Sequence, residues 1–208
     1  MLNIEVFGDS ALLIPTAQPA QLALALRNAQ VFGVLDVVAG LETVTVVFDL
    51  AQTNARKVRR NILQLQITQQ TLPTPTIHRI PLRYDGVDLA EVAERCSLSI
   101  AQVIALHSQA EYCVAMVGFL PGFPYLDGLP VALHLPRRAT PRAKVAAGSV
   151  AIANDQTGIY PQSSPGGWHI LGTTPLRLFD AAATPAALLN AGDIVYFEPI
   201  HENMKDEG

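Results

Sequence analysis

The spacing of hydrophobic positions changes period several times along this chain. Leu2 to Gly8 and Ala11 to Ile14 read as two short strands about a Gly-Asp-Ser turn. From Pro19 the period lengthens. Leu22, Ala25, Leu26 and Ala29 recur at three- and four-residue steps, which predicts a helix. Two more strands follow, Val34 to Val38 and Thr43 to Phe48, with Val44, Val46 and Phe48 alternating against Thr45 and Val47. A second helix is predicted from about Asn54, with Ala55, Val58, Ile62 and Leu65 on one face. Arg56, Lys57, Arg59 and Arg60 fall opposite and read as a solvated side rather than a binding patch.

Thr71-Leu-Pro-Thr-Pro-Thr76 interrupts both periods, since proline offers no amide to a helix or a ladder. It is the expected linker between an α+β domain at 1–75 and a second domain at 76–208. Ile77 to Arg83 alternates as a strand. Two short helices are predicted next. Asp88 is a capping residue for the first, with Leu89, Val92, Ala93 and Cys96 facing inward; Ser99 caps the second, with Ile100, Val103, Ile104 and His107 on one face. Beyond Glu111 no helical period remains. Val145 to Ala153, Gly167 to Leu171, Leu176 to Phe179 and Ile194 to Phe197 read as short strands between Pro/Gly turns, the pattern of a small closed barrel or sandwich.

Two segments do not fit either period. Gly118-Phe-Leu-Pro-Gly-Phe-Pro-Tyr-Leu-Asp-Gly-Leu-Pro130 is turn-rich yet too apolar for a solvated loop. Gln156 to Pro161, running on to Ser164-Pro-Gly-Gly-Trp-His-Ile-Leu-Gly172, has the same character. They read as two walls of one site, packed against the barrel itself, a partner chain or a ligand.

Composition narrows the function. Of 208 residues half are hydrophobic and 15% charged, rich enough to suggest a buried subunit interface. The net charge of −4, and the absence of Arg or Lys from the second short helix, argue against nucleic acid. No apolar run approaches the ~18 residues of a membrane span. The N-terminus reads as a strand rather than a signal peptide, and Cys96 and Cys113 read as free thiols, so a cytoplasmic protein is expected. His169 follows Trp168 in an expected strand, so the two face opposite ways and only one can look into a cavity. His78, His134 and His201 are scattered, and no His/Cys/carboxylate spacing resembles a metal site; His201-Glu202 lacks a second histidine. His107, on an apolar stripe, is by default a core histidine and otherwise a site residue. Arg137, Arg138, Arg142 and Lys144 crowd one proline-bounded stretch, suited to gripping a carboxylate or phosphate, with a solvated loop as the alternative. Asp127 and Asp155 are the only acids between Tyr112 and Phe179, and phosphate-loop, dinucleotide and nucleophile-elbow motifs are absent.

Six motifs in order carry a resemblance: Gly118-Phe-x-Pro-Gly-Phe-Pro-Tyr-Leu, Pro136-Arg-Arg-Ala-Thr-Pro-Arg142, Ala147-Gly-Ser-Val150, Gln156-Thr-Gly-Ile-Tyr-Pro161, Pro165-Gly-Gly-Trp168 and Gly172-x-Thr-Pro175. With them the chain resembles the KipI/PxpB family, also called allophanate hydrolase subunit 1 or the B subunit of 5-oxoprolinase, over nearly its whole length. The resemblance implies a small α+β domain followed by a cyclophilin-like β-barrel. It also implies PxpC-type and PxpA-type partner subunits, a site shared with the PxpC-type barrel, and ATP-dependent cleavage of 5-oxo-L-proline to L-glutamate, ATP being used by the complex. The other family branch inhibits a sporulation histidine kinase; a prolyl isomerase is suggested by barrel shape alone. Three departures from the family pattern stand out: a shortened loop at Asp85-Gly-Val-Asp-Leu89, Ala146 where proline is usual, and Thr173 where a basic residue is common. No catalytic residue carries over. Candidate substrate-binding residues, chosen by motif position and chemistry, are Phe119, Phe123 and Tyr125 from the first wall, Arg137 and Arg142 from the arginine stretch, Gln156, Thr157, Tyr160, Gly166, Gly167 and Trp168 from the second wall, and His107.

Overall fold

The computed structural model describes residues 2–65 and 74–200. Linker residues 71–73, and His201 and Glu202, lie outside them. The chain divides into two units, Met1–Pro75 and Thr76–Gly208.

The first unit is a four-stranded antiparallel sheet carrying two helices. Strands β1 (Glu5–Phe7), β2 (Ala11–Pro15), β3 (Val34–Ala39) and β4 (Thr43–Phe48) lie in the order β1-β2-β4-β3. Leu12 pairs with Val46 and Ile14 with Val44, while Val37 and Ala39 meet the same two valines from the other side. All six are buried on one face. Against that face pack α1 (Pro19–Asn28), through Leu22, Ala23 and Leu26, and α2 (Ala55–Gln64), through Val58 and Ile62. Proline opens α1, and the Asn54 side chain accepts the Lys57 amide to cap α2, worth about 1 kcal/mol. Arg56, Lys57, Arg59 and Arg60 are exposed.

The second unit holds β5 (Ile77–Leu82), α3 (Leu89–Arg95), α4 (Ile100–Gln109), β6 (Tyr112–Val117), β7 (Pro124–Asp127), β8 (Arg142–Val145), β9 (Ser149–Ala153), β10 (Gln156–Ile159), β11 (Ser164–Gly166), β12 (His169–Thr173) and β13 (Ile194–Pro199). Seven strands form one sheet, β12-β9-β10-β7-β6-β13-β5, and β8 and β11 form a separate ribbon. β13 and β5 run parallel; the other pairs are antiparallel. Arg83 and Thr173 exchange backbone hydrogen bonds of 2.9 and 2.8 Å, so the two end strands meet and the sheet nearly closes into a barrel. Gly172 permits that approach, because a Cβ there would run into the Arg83 carbonyl.

Strand alternation sorts this unit into two cores. The larger gathers Ile80, Leu82, Val114, Leu126, Val150, Ile152, Ile159, Leu171, Val195 and Phe197, with Leu89, Val92 and Val103 from the helices. The smaller contains Phe123, Ala151, Ala153, Tyr160, Trp168 and Ile170. Ser99 caps α4 as expected, and the cap is a reciprocal capping box, the Ser99 hydroxyl accepting the Gln102 amide while the Gln102 side chain accepts the Ser99 amide.

Several expectations are corrected. Val145 to Ala153 is not one strand: Gly148, at φ +79°, turns the chain between β8 and β9. Leu176 to Phe179 makes only an isolated bridge from Phe179 to Ala187. Part of the first turn-rich wall is the strand β7, and Gln156 to Ile159 of the second is β10. Ile100 is exposed rather than inward-facing. Asp88 makes no side-chain cap, because its carboxylate is engaged elsewhere. No helix among the described residues is long and apolar enough to cross a membrane.

Candidate functional site

The smaller core exists because one face of β9 and β10 carries almost no side-chain bulk. Val150, Ile152 and Ile159 point to the larger core, which leaves Ala151, Ala153 and Gly158 on the opposite side. A Cβ on Gly158 would stand 2.7 Å from Phe123 Cζ and 2.9 Å from Trp168 Cζ3. Aromatic rings fill the space this small-residue floor leaves. Phe123 meets Trp168, Tyr160 and Phe119 edge to face, with centroids 5.8, 5.2 and 5.5 Å apart, and lies tilted against Tyr125 at 4.9 Å. Each such pair contributes about 0.5–1.5 kcal/mol beyond burial and fixes the next ring.

Above the floor is a pocket of about 220 Å³. Phe119, Phe123, Tyr125, Tyr160 and Trp168 line it with Arg137, and Pro141, Pro165, Gly166 and Gly167 complete the wall. A side chain on Gly166 would collide with the Tyr160 hydroxyl, so bare backbone is required there. The Arg137 guanidinium stands 5.9 Å over the Trp168 ring, and among the described residues no carboxylate pairs with it. Burial raises the Tyr125 and Tyr160 phenols above their ordinary value, opposed by the nearby Arg137 charge. Both remain protonated at neutral pH, available as donors. The site therefore offers flat apolar walls, one unpaired cation and two hydroxyls.

Phe119 stands at the mouth, 62% exposed. Gly118 donates its amide to the Phe123 carbonyl, and Phe123 donates to Leu120 across a Pro121-Gly122 turn in which Gly122 has φ +79°. Within that loop the Leu120 amide donates to the Gly118 carbonyl at 2.9 Å, closing a three-residue turn centred on Phe119 at φ +70°. This positive-φ γ-turn is rare and strained, the more so for a bulky residue. The loop holds an aromatic ring outward at the pocket's edge.

The rest of the arginine stretch does different work. Arg142 donates to both oxygens of Asp88, at 2.9 and 2.6 Å, and Arg138 donates to Asp88 at 2.9 Å and Glu91 at 2.8 Å. Asp88 is 2% exposed and accepts a fourth bond from the Ile170 amide. Removing one partner from a buried cluster of this kind costs about 3–5 kcal/mol. Arg138 also holds Glu91 below the usual carboxylate range.

Eight of the twelve candidate residues thus line one pocket and four do not. Arg142 is committed to Asp88. Gln156 sits on β10 beyond the rings, its amide donating to Asp127 at 2.8 Å. Thr157 and His107 belong to the larger core, because Thr157 alternates with Gly158 and faces the other way. His107 is fully buried, 2.8 Å from the Tyr84 hydroxyl and 3.3 Å from Thr157 Oγ1, and burial pushes its pKa down to about 3. It is a neutral core histidine. Trp168 turns into the pocket while His169, 0% exposed, turns away and donates to the Pro136 carbonyl at 3.0 Å. Asp155 lines a separate hollow with His134. Sequence reasoning missed Asp88 as a clamp, whose partners lie some fifty or more positions away. It also missed the small-residue floor, for which the alternation Ala151, Ala153 was an available signal. The described residues contain no group of three or more metal-ligating side chains.

Comparison with known proteins adds relatives to this geometry. The family model for the carboxyltransferase domain, subdomain C and D, matches residues 2–189. The chain is 40% identical over 210 residues to the B subunit of 5-oxoprolinase from Escherichia coli O157:H7, covering 96% of each. It is 37% identical over 224 residues to the protein of that name from Bacillus subtilis strain 168, covering 96% of this chain and 93% of that one. Among solved structures, TTHA0988 superposes with a TM-score of 0.82 at 36% identity over 96% of this chain, which spans only 41% of that longer one. The Kluyveromyces lactis urea amidolyase superposes at 0.71 with 17% identity, a likeness of fold alone, over 97% of this chain and 15% of that. The chain belongs to the carboxyltransferase subdomain C and D family, in its 5-oxoprolinase PxpB branch.

Proposed function

We propose that this chain is the PxpB component of a cytoplasmic, ATP-dependent 5-oxoprolinase complex that cleaves 5-oxo-L-proline to L-glutamate. In this reading it is a small α+β domain followed by a cyclophilin-like barrel, and its partners are PxpC-type and PxpA-type subunits, the first completing the site. The observation that carries the reading is an aromatic pocket with one unpaired guanidinium in a chain whose relatives bear that component's name.

Size decides what the pocket takes. Sites for drug-sized ligands run to ~300–1,000 Å³, so about 220 Å³ suits a five-membered lactam with one carboxylate and excludes a nucleoside triphosphate. ATP supplies the driving force for opening an unstrained lactam, and its site lies on another subunit. Within the pocket the ring lies flat among Phe119, Phe123, Tyr125 and Trp168, its carboxylate on Arg137. Closing the mouth with a partner surface excludes bulk water and strengthens that ion pair.

Trp168 is the only tryptophan and gives the test. Adding 5-oxo-L-proline to the full chain changes its emission, adding ATP does not, and Arg137→Gln removes the response. Reconstitution with the two neighbouring subunits, following glutamate and ADP together, is expected to lose coupled turnover on Tyr125→Ala. Full activity of that variant, or tight binding of a histidine-kinase helix without any glutamate formation, would reject the proposal.

A further inference from the structure

We propose that Asp88 is a positioning residue for the pocket, the clamp that fixes Arg137 and Trp168 in register. Asp88 stands in the shortened Asp85-Gly-Val-Asp-Leu89 loop, outside the pocket, and touches none of its contents. Its carboxylate nevertheless binds three segments that bear the walls. Arg138, next to Arg137, donates to Oδ1; Arg142, at the start of β8 and next to Pro141, donates to both oxygens; the Ile170 amide, two residues after Trp168, donates to Oδ2. All four acceptor positions of the carboxylate are thereby used.

One backbone bond and one from the His169 imidazole tie the same segments together. The Arg138 amide donates to the Gly167 carbonyl at 2.8 Å, and His169 donates to the Pro136 carbonyl at 3.0 Å. Arg137 is thus held from both neighbours, which leaves its own side chain the free one of the three arginines. Arg142 pairs with Gly166 across the β8–β11 ribbon, so the clamp also sets the proline wall. The loop is seated on β12: the Gly86 amide donates to Leu171 and the Asp88 amide to Ile170, and any side chain on Gly86 would strike the Ile170 carbonyl. One charge thus does for the pocket what supporting hydrogen bonds do for a metal ligand.

Asp88→Asn is the test, because the amide keeps its oxygen for the Ile170 amide while losing its charge to Arg138 and Arg142. The full chain is measured first, by acrylamide and iodide quenching of Trp168. With Arg137 over the indole, the anionic quencher is favoured over the neutral one. In Asp88→Asn acrylamide access is expected to rise and the preference for iodide to fall. In the reconstituted complex KM for 5-oxo-L-proline is expected to rise on the order of tenfold or more, with kcat much less affected. This kinetic arm rests on the proposed function; the quenching arm does not, so failure of one is separable from failure of the other. Should Asp88→Asn not fold, Arg138→Gln, which leaves Asp88 paired with Arg142 and Ile170, is expected to lower the iodide preference alone. A folded Asp88→Asn with wild-type quenching by both agents would overturn the assignment, as would an Arg138→Gln chain with unchanged iodide preference.

Discussion

Replacing His107 by glutamine should flatten the acid side of the second unit's stability curve. His107 is fully buried, and burial lowers its pKa from 6.5 to about 3. Above pH 6.5 both folded and unfolded chains hold it neutral, and it contributes nothing to the pH dependence. Below 6.5 the unfolded chain takes up a proton that the folded chain refuses, so stability falls as pH drops, down to about pH 3. With those two values the loss between pH 7 and pH 5 is about 2 kcal/mol. Glutamine can accept from Tyr84 and donate to Thr157, keeping both bonds of the imidazole without its titration. Urea unfolding of wild type and His107→Gln at pH 7, 6 and 5, followed by Trp168 emission, isolates the effect, because the other titrating groups cancel in the difference. The gap between the two proteins should close by about 2 kcal/mol on acidification. Parallel curves would show that the histidine is protonated in place, and would refute the assignment of a dry, neutral ring.

Phe119→Gly should leave stability nearly unchanged: relief of about 1–2 kcal/mol of positive-φ strain offsets the lost ring contact with Phe123 and glycine's greater unfolded-state freedom. Ligand-induced change in Trp168 emission should nonetheless weaken; destabilisation beyond about 3 kcal/mol in denaturant would instead mark Phe119 as ordinary core packing. Gly158→Ala should cost about 1–3 kcal/mol and shift Trp168 emission, because the methyl enters the space of Phe123 and Trp168. An unshifted spectrum at unchanged stability would contradict the small-residue floor.

What was legible in the sequence was what depends on near neighbours. Thr43 to Phe48 alternates and is a strand over those same residues; Ser99 and Gln102 stand at capping-box spacing and form one. The two ring-bearing segments, too apolar for solvent and too rich in proline and glycine for regular structure, meet around Trp168. What escaped depends on partners far away in sequence. Arg137, Arg138 and Arg142 look alike in a charge count, and only the fold distinguishes the free one from the two spent on Asp88. The same distance hid Asp88, whose position before Leu89 fits a helix cap but whose oxygens go to β12 and the arginines. Thr157 was misplaced for a simpler reason: a strand shows alternate residues to opposite sides, and the neighbouring Gly158 takes the pocket side. His107, on α4, keeps its default reading as a core histidine, and its place among the site candidates falls.

The parallel seam between β5 and β13 has a consequence for how this unit is made. Ile77 cannot find Ile194 until every intervening strand has been synthesised, so the barrel forms late, when β13, the last of the described strands, can join β5 to β6. Until then β5 and β6 both present bare edges, which invite pairing with other chains. A ribosome-bound chain stopped before Ile194 would already carry every wall of the aromatic pocket and the Asp88 clamp that ties them, but not the strand that joins β5 to β6.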